Sequence, residues 1–533
     1  MEANLVPLPE DEELPNDVWF EVAILLEPQD LLCMKLVCRA LYSIFADQEL
    51  WKYVLHAVCR RHFVFLPSFP IDDMNATELQ RAALGPYRWG KLLERNSRHS
   101  VKKENLALVR PMKENDYPLR TTRQSKKFLV PGGRYLVVAH TESVDLWDLG
   151  PVGRAPLSPP VLVAREELAP SSATAFQLEG LEVAPINEAT LRIVVALVGS
   201  KALFSVFDIS LDGENPSFKP IDSLVVETQV DDTVFCTSLS IHGNRLHATL
   251  TRYAISLIWD FKTGRWTKGR SQVYNSYHDY PTKAFTGTAV IEFGSNSLLV
   301  WAVPFSDAET APVLQSTIYL DEELPKALGD MQEITYPRWE PISSDMTTIR
   351  LPSIWHSRHC GSLIFDILRN TQAREPENDL SCGFRYQVDV RPSPLNHTSP
   401  EKLNVAVALL ATYDFPPGFS YAPMLCTTPN ASLGLGHAGA SMILMSTPRE
   451  TGYCDDFIFS MYALRASDSP HNEDVRSDIV LIPIQKTLLS DELSPVSQSL
   501  CSASGRLAFT TWLINDPVAI SVSDFLSPWQ DPS

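Results

Sequence analysis

The sequence predicts an α+β chain of two unlike parts, a small N-terminal helical unit and a large all-β domain. Apolar residues recur at helical spacing up to about residue 62. After residue 105, Val- and Ile-rich segments alternate with Gly and polar turns, as in strands. Forty prolines in 533 residues favour frequent chain reversals over long helices. The predicted parts are a disordered acidic leader at 1–13, a helical unit at 14–62, a helical bridge and basic linker at 63–104, and a β-domain at 105–533.

The helical unit is predicted to consist of short helices divided by prolines. Pro15 suits a first helical position because it has no N–H and a fixed φ. Pro28 ends this first helix, and Asp30 is placed to cap the second. Two further helices are expected at about 38–45 and 49–63.

The first of these helices is apolar in almost every direction. Val18 and Val22 lie on one face, and Trp19 and Ala23 lie on the adjacent face. A helical unit of some forty residues is too small to bury this much apolar surface by itself. The surplus predicts a partner protein or, as the alternative, packing against the chain's own larger domain.

The order and spacing of the motif residues in this unit resemble an F-box. The residues that carry the resemblance are Leu14-Pro15, Pro28, Asp30-Leu31-Leu32, Leu36-Val37-Cys38-Arg39 and Leu50-Trp51. The pattern departs at Leu41-Tyr42, where members of the family often have Trp at a neighbouring position. An aromatic ring one position away fills similar volume.

The resemblance implies a role in protein recognition. Members of the family dock on the small Skp-type adaptor of a cullin-RING ubiquitin ligase, and their remaining chain selects a protein substrate. Such a subunit acts by holding the substrate near a ubiquitin-charged enzyme. The residues expected at the adaptor contact are Leu14, Pro15, Val18, Val22, Leu31, Leu32, Val37, Cys38, Leu50 and Trp51. Leu14 and Pro15 are expected to make direct contact, and Trp51 to pack the helices together. The alternative is an F-box-containing interaction scaffold without a role in ubiquitination.

The β-domain repeats a hairpin that ends in Trp-Asp. The hairpin occurs at 132–149 and 243–261, and its second strand recurs without Trp at 203–209. Weaker echoes follow at 297–303 and 505–522. A hairpin that recurs every roughly 40 to 60 residues resembles a degenerate WD-repeat β-propeller of about six to eight blades, although the usual Gly-His pairs are missing. Two β-sandwiches would account for the strands almost as well.

Connecting segments are predicted from proline and polar residues. Asn75 or Thr77 can cap a short helix through Leu84, and Pro86 can begin another. The stretches 305–350, 368–402 and 414–432 are expected to be inserted loops. Inserts on one rim are where a propeller usually keeps its binding surface.

No motif for catalysis or for a cofactor stands out. The run 434–439 fits GxGxxG, but a loop precedes it and a strand-like segment follows, so it lacks the context of a nucleotide site. His356, His359 and Cys360 lack a second pair at structural-zinc spacing. We therefore expect a non-catalytic chain with no cofactor and no metal. A hydrolase with a helical appendage is a further alternative, which an active-site geometry in the β-domain would support.

Charge and cysteine content indicate the expected partners and location. The net charge of −19 favours a basic protein partner, and residues 88–127 with 12 basic and 4 acidic groups lack the interleaved aromatics of a nucleic-acid site. No apolar run is long enough to span a membrane. Nine scattered cysteines, three of them at Cys33, Cys38 and Cys59 in predicted helices, favour reduced, buried thiols in an intracellular protein, cytoplasmic or nuclear.

Overall fold

The computed structural model of the chain shows the helices at the N-terminus and sheets after them. The residues that it describes are 15–89, 91, 113–114, 119–121, 125–152, 159–168, 176–213, 215–228, 236–250, 255–270, 282–287, 289–293, 297–303, 309–310, 317–320, 331–335, 346–350, 355, 362–370, 381–392, 403–414, 443–446, 459–464, 479–484, 494–501, 503–512 and 518–526.

Short α-helices form the first part of the described chain. They are α1 (Asn16–Leu25), α2 (Pro28–Lys35), α3 (Arg39–Ile44), α4 (Gln48–Arg61) and α5 (Ala76–Ala83), with 3-10 turns at Leu66–Ser68 and Ile71–Asp73. Residues 85–89 are also helical. We call residues 15–62 the helical unit. Its core continues into residues 64–83, and within this core Trp51 is fully buried and its Nε1–H donates to the Phe45 carbonyl at 2.8 Å.

The helix ends correct two of the predicted caps. Pro15 precedes α1 at the N-cap position with an extended ψ of 146°, and does not occupy the first helical position. Pro28 begins α2, since its missing N–H has no role at a first position. Asp30 consequently lies inside the first turn of α2, so the prediction that it caps this helix is wrong. The prediction for Asn75 is confirmed, because its side chain caps α5 in a reciprocal capping box with Glu78.

The remainder of the described chain is all β, and its strands form seven sheets, which we number as blades in chain order. Blade 1 contains β3 (Lys126–Leu129), β4 (Tyr135–Ala139), β5 (Ser143–Asp148) and β6 (Val161–Glu167); blade 2 contains β7 (Gln177–Pro185), β8 (Thr190–Val198), β9 (Lys201–Ser210) and β10 (Phe218–Thr228); blade 3 contains β11 (Cys236–His242), β12 (Arg245–Leu250), β13 (Ile255–Asp260) and β14 (Arg265–Arg270). Within each of these blades, sequence neighbours pair antiparallel.

The later blades follow the same plan. Blade 4 contains β15 (Thr282–Phe285), β16 (Ala289–Phe293), β17 (Ser297–Ala302) and β20 (Met331–Thr335); blade 5 contains β21 (Met346–Arg350), β22 (Ser362–Asn370), β23 (Ser381–Pro392) and β24 (Leu403–Asp414); blade 6 contains β25 (Ile443–Ser446), β26 (Phe459–Leu464) and β27 (Ile479–Ile484); blade 7 contains β28 (Ser494–Cys501), β29 (Arg506–Trp512) and β30 (Val518–Asp524). Two short strands, β18 (Glu309–Thr310) and β19 (Thr317–Leu320), join blades 3 and 2.

The blades succeed one another in a ring. Buried apolar side chains form shared cores between blades 7 and 1, 1 and 2, 2 and 3, 3 and 4, and 4 and 5. The ends of the β-domain meet because β1 (Lys113–Glu114) and β2 (Leu119–Thr121), which precede blade 1, pair with the last strand β30. Sheets that pack one after another, with the two ends of the domain joined, are the architecture of a β-propeller.

An Arg–Asp pair recurs in the predicted hairpins, partly buried in blades 1 to 3 and buried in blade 7. In each case an Arg near the start of the second strand binds the Asp at the end of the third strand. These pairs are Arg134–Asp148 at 2.7 Å, Arg192–Asp208 at 2.7 Å, Arg245–Asp260 at 3.9 Å, and Arg506–Asp524 with an Nη2–Oδ2 distance of 2.8 Å. The Asp of each Trp-Asp motif is thus an anchor for an arginine that precedes it in the hairpin.

The same arginines also connect neighbouring blades. Their second nitrogens donate to a glycine carbonyl in the first turn of the following blade: Arg506 to Gly133 at 2.7 Å, Arg192 to Gly243 at 2.9 Å, and Arg245 to Gly287 at 2.7 Å. Arg134 of blade 1 differs, because its Nη1–H donates to the Pro67 carbonyl beyond the helical unit at 3.1 Å. In blade 1 the arginine therefore bonds to the helical part of the chain and not to the following blade.

The predicted inserted loops are only partly loops. The stretch 305–350 contains β18 to β21, and the stretch 368–402 contains the whole of the 12-residue strand β23. These strands pair along sheet edges that other parts of the chain provide, so local composition did not indicate them. The GxGxxG run at 434–439 and the cluster of His356, His359 and Cys360 lie outside the described residues, as does 415–432.

Candidate protein-docking surface

Large apolar side chains are exposed on the helical unit. Leu25 is 83% exposed at the end of α1, and Leu36 and Val37 are 84% and 68% exposed in the link between α2 and α3. We define the exposed apolar set as these residues with three others on α1 and α3: Val18, Ile24, Leu25, Leu36, Val37 and Tyr42. Burying one such side chain completely is worth about 1.5–3 kcal/mol.

The fold explains why this set remains in solvent. One side of α1 packs into the core of the unit, where Ala23 is fully buried and Trp19 meets Phe45 edge-on at 6.2 Å. Because α1 is apolar all round, its other side stays exposed. The link from α2 to α3 runs through the extended Cys38, which leaves Leu36 and Val37 outside the core.

The predicted contact residues divide into three groups. Pro15, Val18, Val37 and Cys38 are exposed. Two others, Val22 and Leu32, are half-buried. The remaining described ones are Leu31, Leu50 and Trp51, which have no exposed surface. Leu14 lies outside the described residues.

The burial of the last group indicates an indirect role. In this conformation Leu31, Leu50 and Trp51 pack within the helical core, so they support the surface from beneath and cannot touch a partner. Exposed Ile24, Leu25, Leu36 and Tyr42 were not among the predicted contact residues. The seven-residue spacing from Val18 to Leu25 placed Leu25 on the same helix face and was the available signal.

The opposite side of the helical part is fixed to the β-domain along a contact that we call the seam. The Phe65 N–H donates to the Pro131 carbonyl at 2.9 Å, in the β3–β4 turn of blade 1. Ser68 fits so closely against this turn that a Cβ on Gly132 would lie 2.3 Å from it. At blade 7, Trp89 packs against Phe525 with ring centroids 5.9 Å apart. The alternative of packing on the chain's own domain therefore also occurs, through residues 63–89.

Trp355 joins the seam from blade 5. Its Nε1–H donates to the Phe63 carbonyl at 2.6 Å, and its ring meets Phe65 edge-on at 5.9 Å. Phe63 has a φ of 51°, a left-handed conformation that usually favours glycine after a helix end. The Val64 N–H donates to the Cys59 carbonyl at 2.8 Å and closes this turn. Such strain persists only where surrounding contacts hold it, and Trp355 provides one of them.

A cleft of about 470 Å³ opens beside the seam, between α4 and the β7–β8 turn. Phe63, Leu66 and Ile186 contribute apolar surface, while Arg60 and Glu188 place opposite charges around it. Its volume is in the range of small-ligand sites. No group of three or more His, Cys, Asp or Glu in the described part of the chain could hold a metal ion.

The cysteines of the structure differ in their surroundings. Cys59 is buried, and burial raises the pKa of its thiol to about 12, as it does for Cys236. These two thiols stay protonated and are poor nucleophiles. Cys33 and Cys38 are exposed, so the prediction that they are buried is wrong. The reason is that the α2–α3 region faces solvent.

Comparison with known proteins finds one family model that matches the N-terminal helices. A family model described as F-box-like matches residues 11–57. No curated protein matches the chain in sequence. No helix among the described residues is long and apolar enough to cross a membrane.

Solved structures, two of them described as WD40 or β-propeller domains, resemble the chain at low identity. The WD40 domain of SCAP from fission yeast is 10% identical with a TM-score of 0.35, covering 76% of this chain and 82% of that one. The β-propeller domain of Cps50 (Swd1) from Myceliophteria thermophila is 10% identical with a TM-score of 0.36, covering 77% and 99%. A chain of the yeast Nup82–Nup159–Nup116 nucleoporin complex is 8% identical with a TM-score of 0.39, covering 77% and 99%. The chain thus carries an F-box-like domain followed by a large all-β domain, whose propeller architecture rests on its own ring of sheets.

Proposed function

We propose that this chain is a substrate-recognition subunit of a Skp–cullin–F-box ubiquitin ligase. The observation that carries the proposal is the exposed apolar set on an F-box-like unit that residues 63–89 already attach to the β-domain. A Skp-type adaptor would cover that set and Leu14-Pro15, and the β-domain would hold the protein substrate. Both modules are generally used for interaction, and catalysis would come from other subunits of the ligase.

The seam supports this proposal because it fixes the two modules relative to one another. Hydrogen bonds from Phe65, Arg134 and Trp355 cross between the helical part and the β-domain. A substrate receptor accelerates transfer by holding an acceptor near the charged enzyme, and a fixed geometry raises the effective concentration. A loose linker would give less of this advantage.

The test is co-purification of the full chain with a Skp-type adaptor. Wild type is compared with Leu14→Ala/Pro15→Ala and with Leu36→Glu/Val37→Glu, which places two charges within the exposed apolar set. The control is Val161→Glu/Leu162→Glu, an equal change at exposed apolar residues of the β-domain. We expect stoichiometric capture by wild type and by the control, and a loss of at least about 100-fold in affinity for Leu36→Glu/Val37→Glu, on the order of two hot-spot residues.

Failure of the folded wild-type chain to capture the adaptor would contradict the proposal. The scaffold alternative is separated by a second readout, the ubiquitin conjugates formed in cells that express each variant. Conjugates that depend on wild type and disappear with Leu36→Glu/Val37→Glu support a substrate receptor. Adaptor capture without any such conjugates supports the scaffold.

A further inference from the structure

The outer rim of the β-domain already accepts added strands. The segment between β17 and β20 leaves blade 4 and runs backward around the ring. Its first strand, β18, pairs antiparallel with the outer strand β14 of blade 3. Its second strand, β19, pairs parallel with the outer strand β10 of blade 2, from Val225 with Thr317 to Thr228 with Leu320. Blades 2 and 3 therefore each gain a fifth strand from a distant part of the sequence.

Blade 1 is the next blade in that direction, and its outer strand is β6. Within the described part of the chain, no strand pairs with the outer side of β6. Val161 and Leu162 at its start are 60% and 39% exposed. They are the exposed large apolar side chains of the β-domain among the described residues. An exposed sheet edge with apolar residues is a template for pairing with another chain.

The other end of β6 is acidic. Glu166 and Glu167 lie there, and the Leu168 N–H donates to the carbonyl of Glu142 at 2.8 Å, which brings a third acidic residue close. Arg165 offsets only part of this negative charge, because its Nη2 is bound to Asp145 at 2.6 Å and it attracts Glu167 more weakly. A bulge leaves Val163 without a partner on β5 and separates the apolar end from the acidic end.

A second copy of this chain fits the edge poorly. Antiparallel pairing of two β6 strands about Ala164 would place Val161 opposite Glu167 and Leu162 opposite Glu166. Parallel pairing in register would place the glutamates of the two copies side by side, which is destabilising. The free edge of β6 is therefore better matched by a strand whose sequence differs from that of β6.

We infer that β6 binds an extended segment of a partner protein as an added strand. The segment has apolar residues beside Val161 and Leu162, and Lys or Arg beside Glu166 and Glu167. Main-chain hydrogen bonds provide affinity in this mode of recognition, and the side chains provide specificity. The inference goes beyond the proposed ligase role and does not depend on adaptor docking.

The probes are fluorescein-labelled peptides with the seven-residue length of β6. One has two valines followed by three threonines and two lysines, and the other has the reverse order, which covers both strand directions. A third peptide carries N-methyl groups on alternate amides, so that it cannot pair as a strand. Binding to the full chain is measured by fluorescence anisotropy, and its location by amide hydrogen exchange.

We expect one of the two unmodified peptides to bind and to slow exchange in residues 161–167. Glu166→Lys/Glu167→Lys should weaken this binding about tenfold or more, since two attractive pairs become repulsive. Asp212→Lys, an acidic reversal at an exposed position between β9 and β10, should leave it unchanged.

The inference is overturned if neither peptide binds the folded chain, if the N-methylated peptide binds equally well, or if the charge reversal on β6 has no effect. It is also overturned if β6 pairs with a second copy, which sedimentation would reveal as a dimer sensitive to the same reversal. Peptide binding without adaptor capture would leave this inference standing while the proposed function fails.

Discussion

The two sides of the helical part use apolar residues in opposite ways. On the seam side, Phe65 and Trp89 are each 2% exposed, because blades 1 and 7 cover them. On the outward side, Leu25 and Leu36 are more than four-fifths exposed. Both sides come from the same run of short helices, so the difference lies in what the fold places against them.

This difference separates residues that position the unit from residues that remain for a partner. The seam accounts for how the unit is held, since its hydrogen bonds and rings meet named groups of the β-domain. The exposed apolar set contributes nothing comparable to this attachment. Changes within the core and the seam should therefore alter stability or position, and changes in the exposed set should alter binding alone.

The largest expected effect comes from emptying the core beneath the exposed set. Trp51→Ala removes a fully buried ring and the donor to the Phe45 carbonyl, and should cost the helical unit about 3–5 kcal/mol. We expect fast amide exchange throughout residues 16–61 and lost adaptor capture, with the β-domain intact. Tyr53→Ala, at an exposed position on the same helix, is the control and should leave exchange unchanged. Equal exchange in both variants would show that Trp51 does not hold this core together.

An intermediate effect is expected from Arg134, the arginine of blade 1 that bonds across the seam. Arg134→Met removes the bond to the Pro67 carbonyl and leaves Asp148 without its partner, at a cost of about 1–3 kcal/mol. Exchange should rise at residues 63–68, while adaptor capture persists. Arg192→Met breaks the equivalent Asp208 pair, but its other bond goes to blade 3, so exchange should rise around residue 243 instead. Identical exchange patterns in the two variants would contradict the special role of Arg134.

The sequence predicted the helical unit and the hairpins because both rest on local patterns. The capping box at Asn75 and the Trp-Asp hairpins depend on residues within about twenty positions of each other. The Arg partners of those hairpins were also visible, since Arg134, Arg245 and Arg506 each stand within two residues after a glycine. They were overlooked because an arginine in a turn is usually solvated.

The exposure of individual site residues could not be predicted in the same way. Leu31 and Leu36 are the same residue type five positions apart, yet Leu31 in α2 is fully buried and Leu36 in the following link is mostly exposed. Only the placement of α1 and α4 around them decides this outcome. Strands β18 and β19 escaped prediction for the same reason, because the edges of blades 3 and 2 provide their hydrogen-bond partners.

The smallest effect concerns blade 3, where polar side chains are buried without a hydrogen-bond partner among the described residues. His247 is fully buried, and neither ring nitrogen has a hydrogen-bond partner among the described residues; the same holds for the Thr249 hydroxyl. Burial, with help from Lys283, lowers the pKa of His247 to about 3. In the unfolded chain His247 takes up a proton near its ordinary pKa of 6.5, whereas in the folded chain it takes up the proton only near its lowered pKa of about 3. This residue therefore removes stability as the pH falls from 6.5 towards 3.

Replacing these groups should separate the cost of burial from the cost of protonation. His247→Leu should raise the melting temperature at neutral pH, since an unpaired buried polar group costs about 1–3 kcal/mol. Its advantage over wild type should grow by up to about 1.4 kcal/mol for each pH unit below 6.5. Thr249→Val removes an unpaired hydroxyl that does not titrate, so its advantage should be the same at about pH 7.5 and pH 5. A His247→Leu advantage that stays constant with pH would mean that His247 takes up its proton equally in the folded and unfolded chain, and blade 3 would then hold no acid-sensitive site there.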